Sequence, residues 1–300
     1  MDKKVNGHAA VILANVIFGL GVPVTKYLLE DWVTPMVYMA LRCIGAALIF
    51  WLIAAFLPKE KVEKKDLIVI MLGGLTGFVI SQTLTAWALN YTSPVYYSLI
   101  ATLVPIGTML LAALFLKESI TGFKLLGVCL GIAGAALLVL VKWQTEAGSN
   151  DLFGIFFALL SLLTWVIYLI ITSKVSQKYT AVTQMKWTFL VSTIAVLPFA
   201  WNEFIQTKLF SGDYGFTEGM MGVGGMAFIV VFATVMGYFM IPYAMKYLRA
   251  TTVSIYTNLQ PIVASLIAIA IGQDVFTWDK PVAAVLVLVG AYLVTQKGQG

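Results

Sequence analysis

The chain is expected to be an all-α membrane protein, with ten transmembrane helices arranged as two inverted five-helix repeats around a central cavity. Three observations lead there. Hydrophobic residues make up 60% of the sequence and charged residues 11%, far from the balance of about half and a quarter in soluble domains. So much apolar surface needs lipid around it. Apolar stretches of roughly 20 residues, the length that crosses a ~30 Å hydrocarbon core, then recur along the whole chain. Finally, "SLIATLVPI" (Ser98 to Ile106) returns in pattern as "SIYTNLQPI" (Ser254 to Ile262), 156 positions later.

The expected spans are 8–28, 35–57, 67–89, 94–116, 122–141, 152–173, 182–201, 220–247, 252–272 and 280–295. None alternates apolar and polar residues over about ten positions, as a membrane barrel strand does. The opening "MDKKVNGHAAVILANVIFGL" starts basic but has no small-residue cleavage site after a short apolar core, so it reads as a retained first span. Its Asn15, Gly19, Val22 and Lys26 share one helical face. An amide at that depth needs a partner on another helix or on a substrate. The second span places Arg42 about eight residues from its start, ~12 Å at helical rise. An ionisable group inside a membrane points to function, whereas a long side chain also snorkels or braces a bundle. Arg42 is thus a possible anion contact or a brace. The third span offers Phe78, Ser81, Gln82 and Thr85.

In the fourth and ninth spans, Pro105 and Pro261 each remove a backbone donor and crowd the preceding turn. Helix kinks are expected there, with a role in gating. Ser98 with Thr102, and Ser254 with Asn258, stand at i, i+4 just before each proline, so each pair shares a face. A polar strip facing a cavity is one reading; hydroxyls bonded back to their own helix are the other. Gln260 and Tyr256 add to the ninth span, Thr234 and Tyr238 to the eighth. Ser161, Trp165, Tyr168 and Thr172 lie on one face of the sixth. The substrate-binding set expected from these stripes is Asn15, Gln82, Ser98, Thr102, Trp165, Tyr168, Tyr238, Ser254, Asn258 and Gln260. For each residue taken alone, interhelical packing is an equal reading. In the fifth span Gly127, Gly131 and Gly134 permit close approach of the tenth through Gly290 and Ala291. Glu118 and Asp274 end the fourth and ninth spans, where Thr121 and Thr277 suit helix caps.

The repeat extends beyond the opening motif without a gap, pairing Tyr91 with Tyr247, Glu118 with Asp274 and Gly134 with Gly290. The expected division is a first unit at 1–142, a polar linker at 143–151 and a second unit at 152–300. Five spans per unit is an odd number, so the second unit enters the membrane from the opposite side. Most cations then fall on one side, including Lys3, Lys4 and the run from Lys59 to Lys65, against Lys26, Lys142, Lys208 and Lys280 on the other. The positive-inside bias puts both termini in the cytoplasm. The net charge of +5 is therefore a topology signal, and no nucleic-acid partner is expected. Cys43 and Cys129 fall inside spans and are too few for a disulfide framework.

The stretch "WALNYTSPVYYSLIATLVPIGTMLLAALFLKESITGFKLLGVCLGIAGAALLVL" (Trp87 to Leu140) resembles the EamA-type repeat of the drug/metabolite transporter superfamily. "FGLGVPVTK" (Phe18 to Lys26) resembles that family's first-span motif, with Phe18 where tryptophan is usual, and "TPMVYMALR" (Thr34 to Arg42) its second-span element. "TWVIYLIITSK" (Thr164 to Lys174) and the ninth-span pattern, with Asp274 in place of glutamate, carry the likeness through the second half. The resemblance implies a ten-helix exporter or exchanger of small metabolites, with spans one to four and six to nine around a central cavity.

Inverted repeats are the architecture of many secondary transporters, whose substrates bind near the midplane between the halves. The expected function is alternating-access export or exchange of small metabolites such as amino acids across the plasma membrane. The expected partners are a small-molecule substrate and the bilayer, with the protein a monomer and without a cofactor or metal. A channel-like facilitator and a non-transporting scaffold are the alternatives. An enzyme is not expected: the single His8 rules out an HExxH zinc site, and no GxSxG elbow occurs.

Overall fold

The computed structural model describes residues 3–92, 97, 100–117, 119–143, 151–212, 214–270 and 278–295. All regular structure among them is helical. The first half contains α1 (Lys3–Asp31), α2 (Pro35–Ala55), α3 (Lys64–Gly74), α4 (Ser81–Tyr91), α5 (Val104–Phe115) and α6 (Gly122–Trp143). The second contains α7 (Asp151–Lys178), α8 (Ala181–Ala200), α9 (Phe216–Phe228), α10 (Tyr238–Met245), α11 (Ala250–Ile255), α12 (Leu259–Ala270) and α13 (Asp279–Thr295). Among the described residues, five continuous helical runs are long and apolar enough to cross a membrane: Lys3–Asp31, Pro35–Ala55, Lys64–Tyr91, Phe153–Lys178 and Phe216–Met245.

Local sequence sets the helix starts. Thr34 caps α2 with extended backbone, its hydroxyl accepting the Val37 N–H at 3.3 Å, and Pro35 opens the helix where a missing donor costs nothing. Thr180 caps α8 in the same way, accepting the Thr183 N–H at 3.3 Å. Thr121 accepts from the Lys124 N–H ahead of α6, also at 3.3 Å; Glu118, Asp274 and Thr277 lie outside the described residues.

Two long helices are under-wound in the middle. A π segment at Leu75–Ile80 joins α3 to α4, and another at Ile229–Gly237 joins α9 to α10. Shifted by 156 positions, the first falls inside the second. The proline spans are broken rather than kinked at proline. A turn at Thr102 and Leu103 precedes α5, and a 3-10 turn at Tyr256–Asn258 separates α11 from α12. Pro105 sits in the first turn of α5 and Pro261 in the first turn of α12, where neither removes a needed hydrogen bond. The expectation of a kink inside a continuous helix is corrected accordingly.

The packing pairs helices across the two halves. α2 lies along α8 and α6 along α13; α1 packs on α10 and α12, while α7 packs on α4 and α5. Where α6 meets α13 the backbones touch: a methyl at Gly290 would stand 2.5 Å from the Gly127 carbonyl oxygen and 2.8 Å from the Gly131 nitrogen. Gly77, in the first π segment, lets α7 in just as closely, since a methyl there would fall 2.2 Å from Cγ of Tyr168. The α2–α8 pair is fastened at both ends. Thr34 donates its hydroxyl to Glu203 beyond the end of α8, and Thr180 donates to Glu60 beyond the end of α2 at 2.8 Å.

Candidate functional site

A cavity of about 100 Å³ opens between the halves, room for roughly seven to ten waters at ~10–15 Å³ each. The first half lines it with Phe18 and Thr25 from α1, Tyr38 and Arg42 from α2, Ser81, Gln82 and Thr85 from α4, and also Tyr97. The second half contributes Ser161 and Trp165 from α7, Tyr238 at the start of α10, Thr257 and Gln260.

The polar groups form three sets. On one wall the Ser81 hydroxyl donates to the Ser161 carbonyl at 3.1 Å, and the Ser161 hydroxyl returns a bond to the Ser81 carbonyl at 2.9 Å. That leaves Thr85 to donate to the Ser161 hydroxyl at 2.8 Å and Tyr97 to donate to Thr85 at 3.3 Å. A second contact joins Thr25 to the Tyr38 hydroxyl at 2.8 Å. The third set holds the only charge among the described lining side chains. Arg42 donates from Nε to Thr234 Oγ1 at 2.9 Å and from Nη1 to Gln82 Oε1 at 3.1 Å. The rings of Phe78, Tyr38 and Tyr238 surround its guanidinium, with centroids 4.8, 5.2 and 6.0 Å away, within cation–π range. Thr234 belongs to the second π segment, and its hydroxyl donates to the Ile229 carbonyl five residues back at 2.8 Å. The wider turn thus supplies the acceptor that holds Arg42. Single π turns inside α-helices recur at functional sites for this kind of reason.

Below the cavity, toward the C-terminal end of α2, aromatic rings close the bundle. Phe78 stands edge-on to Phe189 at 4.6 Å and to Tyr238 at 4.9 Å, and Phe50 stacks on Phe189 at 5.6 Å. Tyr238 also meets Phe18 at 5.5 Å and Trp165 at 5.8 Å. The floor is buried and apolar, the walls hydroxylated, and the cation stands where they meet.

Of the residues expected at a binding site, the structure brings Gln82, Trp165, Tyr238, Gln260 and Arg42 to the cavity wall. Asn15 stands one layer behind, accepting from Gln260 Nε2 at 2.8 Å while its own amide donates to the Val11 carbonyl. Ser98 lies outside the described residues. Thr102, Tyr168, Ser254 and Asn258 are buried away from the lining. Ser254 donates back to the Thr251 carbonyl at 2.9 Å, the self-bonded alternative. Asn258 faces α6, where a methyl on Gly131 would lie 2.6 Å from its Nδ2. For Asn258 the cause is helical phase: three residues in a 3-10 turn sweep ~120° each rather than ~100°, so the face beyond Ile255 is turned by up to ~60° and Thr257 reaches the lining in its place. Lys26 also leaves the expected stripe, donating to the Leu89 carbonyl at 2.8 Å and pairing with Glu30 at 3.2 Å. Tyr38, Thr25 and Tyr97 are lining residues that sequence reasoning missed. Tyr38 stands one helical turn before Arg42, a spacing that could have revealed it.

Comparison with known proteins agrees with this architecture. The profile of the EamA-like transporter family matches residues 5–140 and again 152–296. Among curated relatives, the uncharacterized transporter YyaM of Bacillus subtilis is 26% identical, covering 96% of this chain and 93% of its own. An uncharacterized transporter of Archaeoglobus fulgidus is 23% identical over 93% of this chain and 95% of its own length. The WAT1-related protein At3g53210 of Arabidopsis thaliana is 24% identical over 98% and 86% respectively. One crystal structure superposes with a TM-score of 0.74 at 15% identity, covering 98% of this chain and 96% of the other, a likeness of fold alone. With both halves of its length matched, this multi-pass membrane chain belongs to the EamA-like transporter family.

Proposed function

We propose that the protein is a secondary transporter working by alternating access, which exports or exchanges small metabolites, amino acids among them, across the cell membrane. The observation that carries this reading is the cavity lined by both halves and closed at one end by the Phe78–Phe189–Tyr238 cluster. A site shared between two units opens to either side when one unit rocks against the other.

The reading takes ten spans as two inverted five-helix repeats, 1–142 and 152–300. The packing supports it, because most of the main contacts have an image. α1 on α10 and α12 corresponds to α7 on α4 and α5, while the α2–α8 and α6–α13 pairs map onto themselves. The two threonine caps and the two π segments follow the same relation. With both termini cytoplasmic, as the lysine distribution favours, the cavity lies in the outer half and the aromatic floor in the inner half. Gln82, Trp165, Tyr238 and Gln260 would contact substrate, and a single chain is sufficient to build the path.

The test is metabolite efflux from expressing and non-expressing cells, followed by counterflow of the released compounds in proteoliposomes. A carrier speeds uptake when the far side is loaded; a channel does not. Gln82→Leu and Gln260→Leu should each lower flux at least tenfold while the protein still inserts and purifies. Normal flux in both variants would remove the proposed site.

A further inference from the structure

The cavity holds a buried cation that has no counter-ion among the described residues. Arg42 is 4% exposed, and its partners are all neutral: Thr234, Gln82, a long contact of 3.8 Å to the Met39 sulfur, and three ring faces. Among the described residues no carboxylate pairs with it; the ion pairs found there are made by Lys26, Lys178 and Lys208. Its Nη2 has no hydrogen-bond partner among those residues either. A guanidinium does not shed its proton to escape such a site, and an uncompensated charge in a low-dielectric interior is strongly disfavoured.

Residue choice points the same way. Of the nineteen basic residues only Arg42 and Arg249 are arginine, so the chain uses lysine almost everywhere a positive charge alone is needed. Arginine differs by its planar fork, which meets a carboxylate through parallel hydrogen bonds. Here the guanidinium is held in place by Thr234 and Gln82, with Nη2 unbonded among the described residues, and it stands on the wall of a cavity of about 100 Å³.

We infer that Arg42 is the docking point for a carboxylate, and that the transported compounds are small organic acids or zwitterions carrying one such group. The inference rests on the transport reading above and narrows its substrate class. The other described lining side chains are neutral, so among them a second charge on the solute meets hydroxyls, amides and ring faces. The faces of Trp165 and Tyr238 suit a zwitterion's ammonium group. Amines without a carboxylate are repelled by Arg42 and excluded from the site.

The experiment uses the purified full chain in detergent and a set of ligands sharing one isobutyl group: leucine, isocaproate, leucinamide and isoamylamine. Binding is followed by intrinsic fluorescence, with Trp165→Phe identifying the cavity signal. Leucine and isocaproate should bind at least tenfold more tightly than leucinamide and isoamylamine. Arg42→Gln should abolish that preference, and Arg42→Lys, which keeps the charge without the fork, should retain it in weakened form. Equal binding of all four by the wild-type protein overturns the inference whatever the variants do, as does the absence of saturation with either carboxylate at millimolar concentration. Counterflow separates this outcome from failure of the transport reading. Carboxylate-selective binding without counterflow keeps the anion site and removes the carrier; counterflow of isoamylamine as fast as leucine keeps the carrier and removes the anion site.

Discussion

Gly77→Ala tests how tightly the two halves are joined beside the cavity. The added methyl would lie 2.2 Å from Cγ, 2.5 Å from Cδ2 and 2.6 Å from Cβ of Tyr168. Cγ and Cδ2 move with the rotamer, but Cβ is fixed to the backbone, so no rotamer change clears its 2.6 Å contact. Relief requires the backbone of α7 to retreat by about 1 Å or more, yet Tyr168 is 3% exposed and its ring packs 5.0 Å from Trp165. Overpacking of this kind costs about 1–3 kcal/mol, and rigid neighbours place Gly77 near the upper figure. At ~2 °C per kcal/mol for a chain of this size, the unfolding midpoint should fall by about 6 °C. Gly224→Ala is the control, because a methyl there meets nothing within 4 Å; helix propensity should make it neutral or stabilising by up to ~1 kcal/mol. The assay is thermal unfolding of both purified variants in one detergent. An equal or higher midpoint for Gly77→Ala would refute the close approach of α7 at the π segment.

Thr234→Val keeps the shape but removes the acceptor for Arg42 Nε. An unmet buried donor costs about 1–3 kcal/mol, readable as a fall of a few degrees in the same thermal assay. Gly290→Val should be worse than Gly77→Ala, because its obstacles are the backbone atoms of Gly127 and Gly131; cross-linking between cysteines placed on α6 and α13 should weaken with it. Glu60 supplies a pH dependence. Burial pushes its carboxyl up, but the Thr183 and Thr180 hydroxyls, the Thr180 N–H and the charge of Lys246 together bring it below its ordinary 4.5. A depressed carboxylate adds stability that is present above the ordinary value and lost as pH falls through the lowered one. Wild-type protein should therefore lose midpoint more steeply than Glu60→Gln below about pH 4.5, and identical acid limbs would exclude a role for the Glu60–Thr180 contact.

The sequence made the membrane class, the helical order and much of the cavity wall legible, because lipid leaves an amphipathic stripe few explanations. Gln82, Trp165, Tyr238 and Gln260 stood out as amides and aromatics inside apolar spans, and the structure places them on the cavity wall. Asn258 was misplaced because the helical period assumes an unbroken α-helix, and the turn at Tyr256–Asn258 resets the phase; Ser254, before the turn, instead bonds back to the Thr251 carbonyl. The partnership of Arg42 with Thr234 spans 192 positions and depends on a π turn, so no local pattern announces it. The Thr34–Glu203 and Thr180–Glu60 contacts are hidden for a related reason: each joins a recognisable cap to a loop carboxylate more than a hundred residues away.

Those two contacts have a mechanical consequence. An antiparallel rod pair tied at only one end can scissor, and one tied at neither can slide. Riveted at both ends, α2 and α8 can do neither without first shedding a charged tie, so they turn as one spindle. Under the proposed alternating access, the two units would rock about that spindle, and Arg42, mounted on it, would travel less than the walls around it.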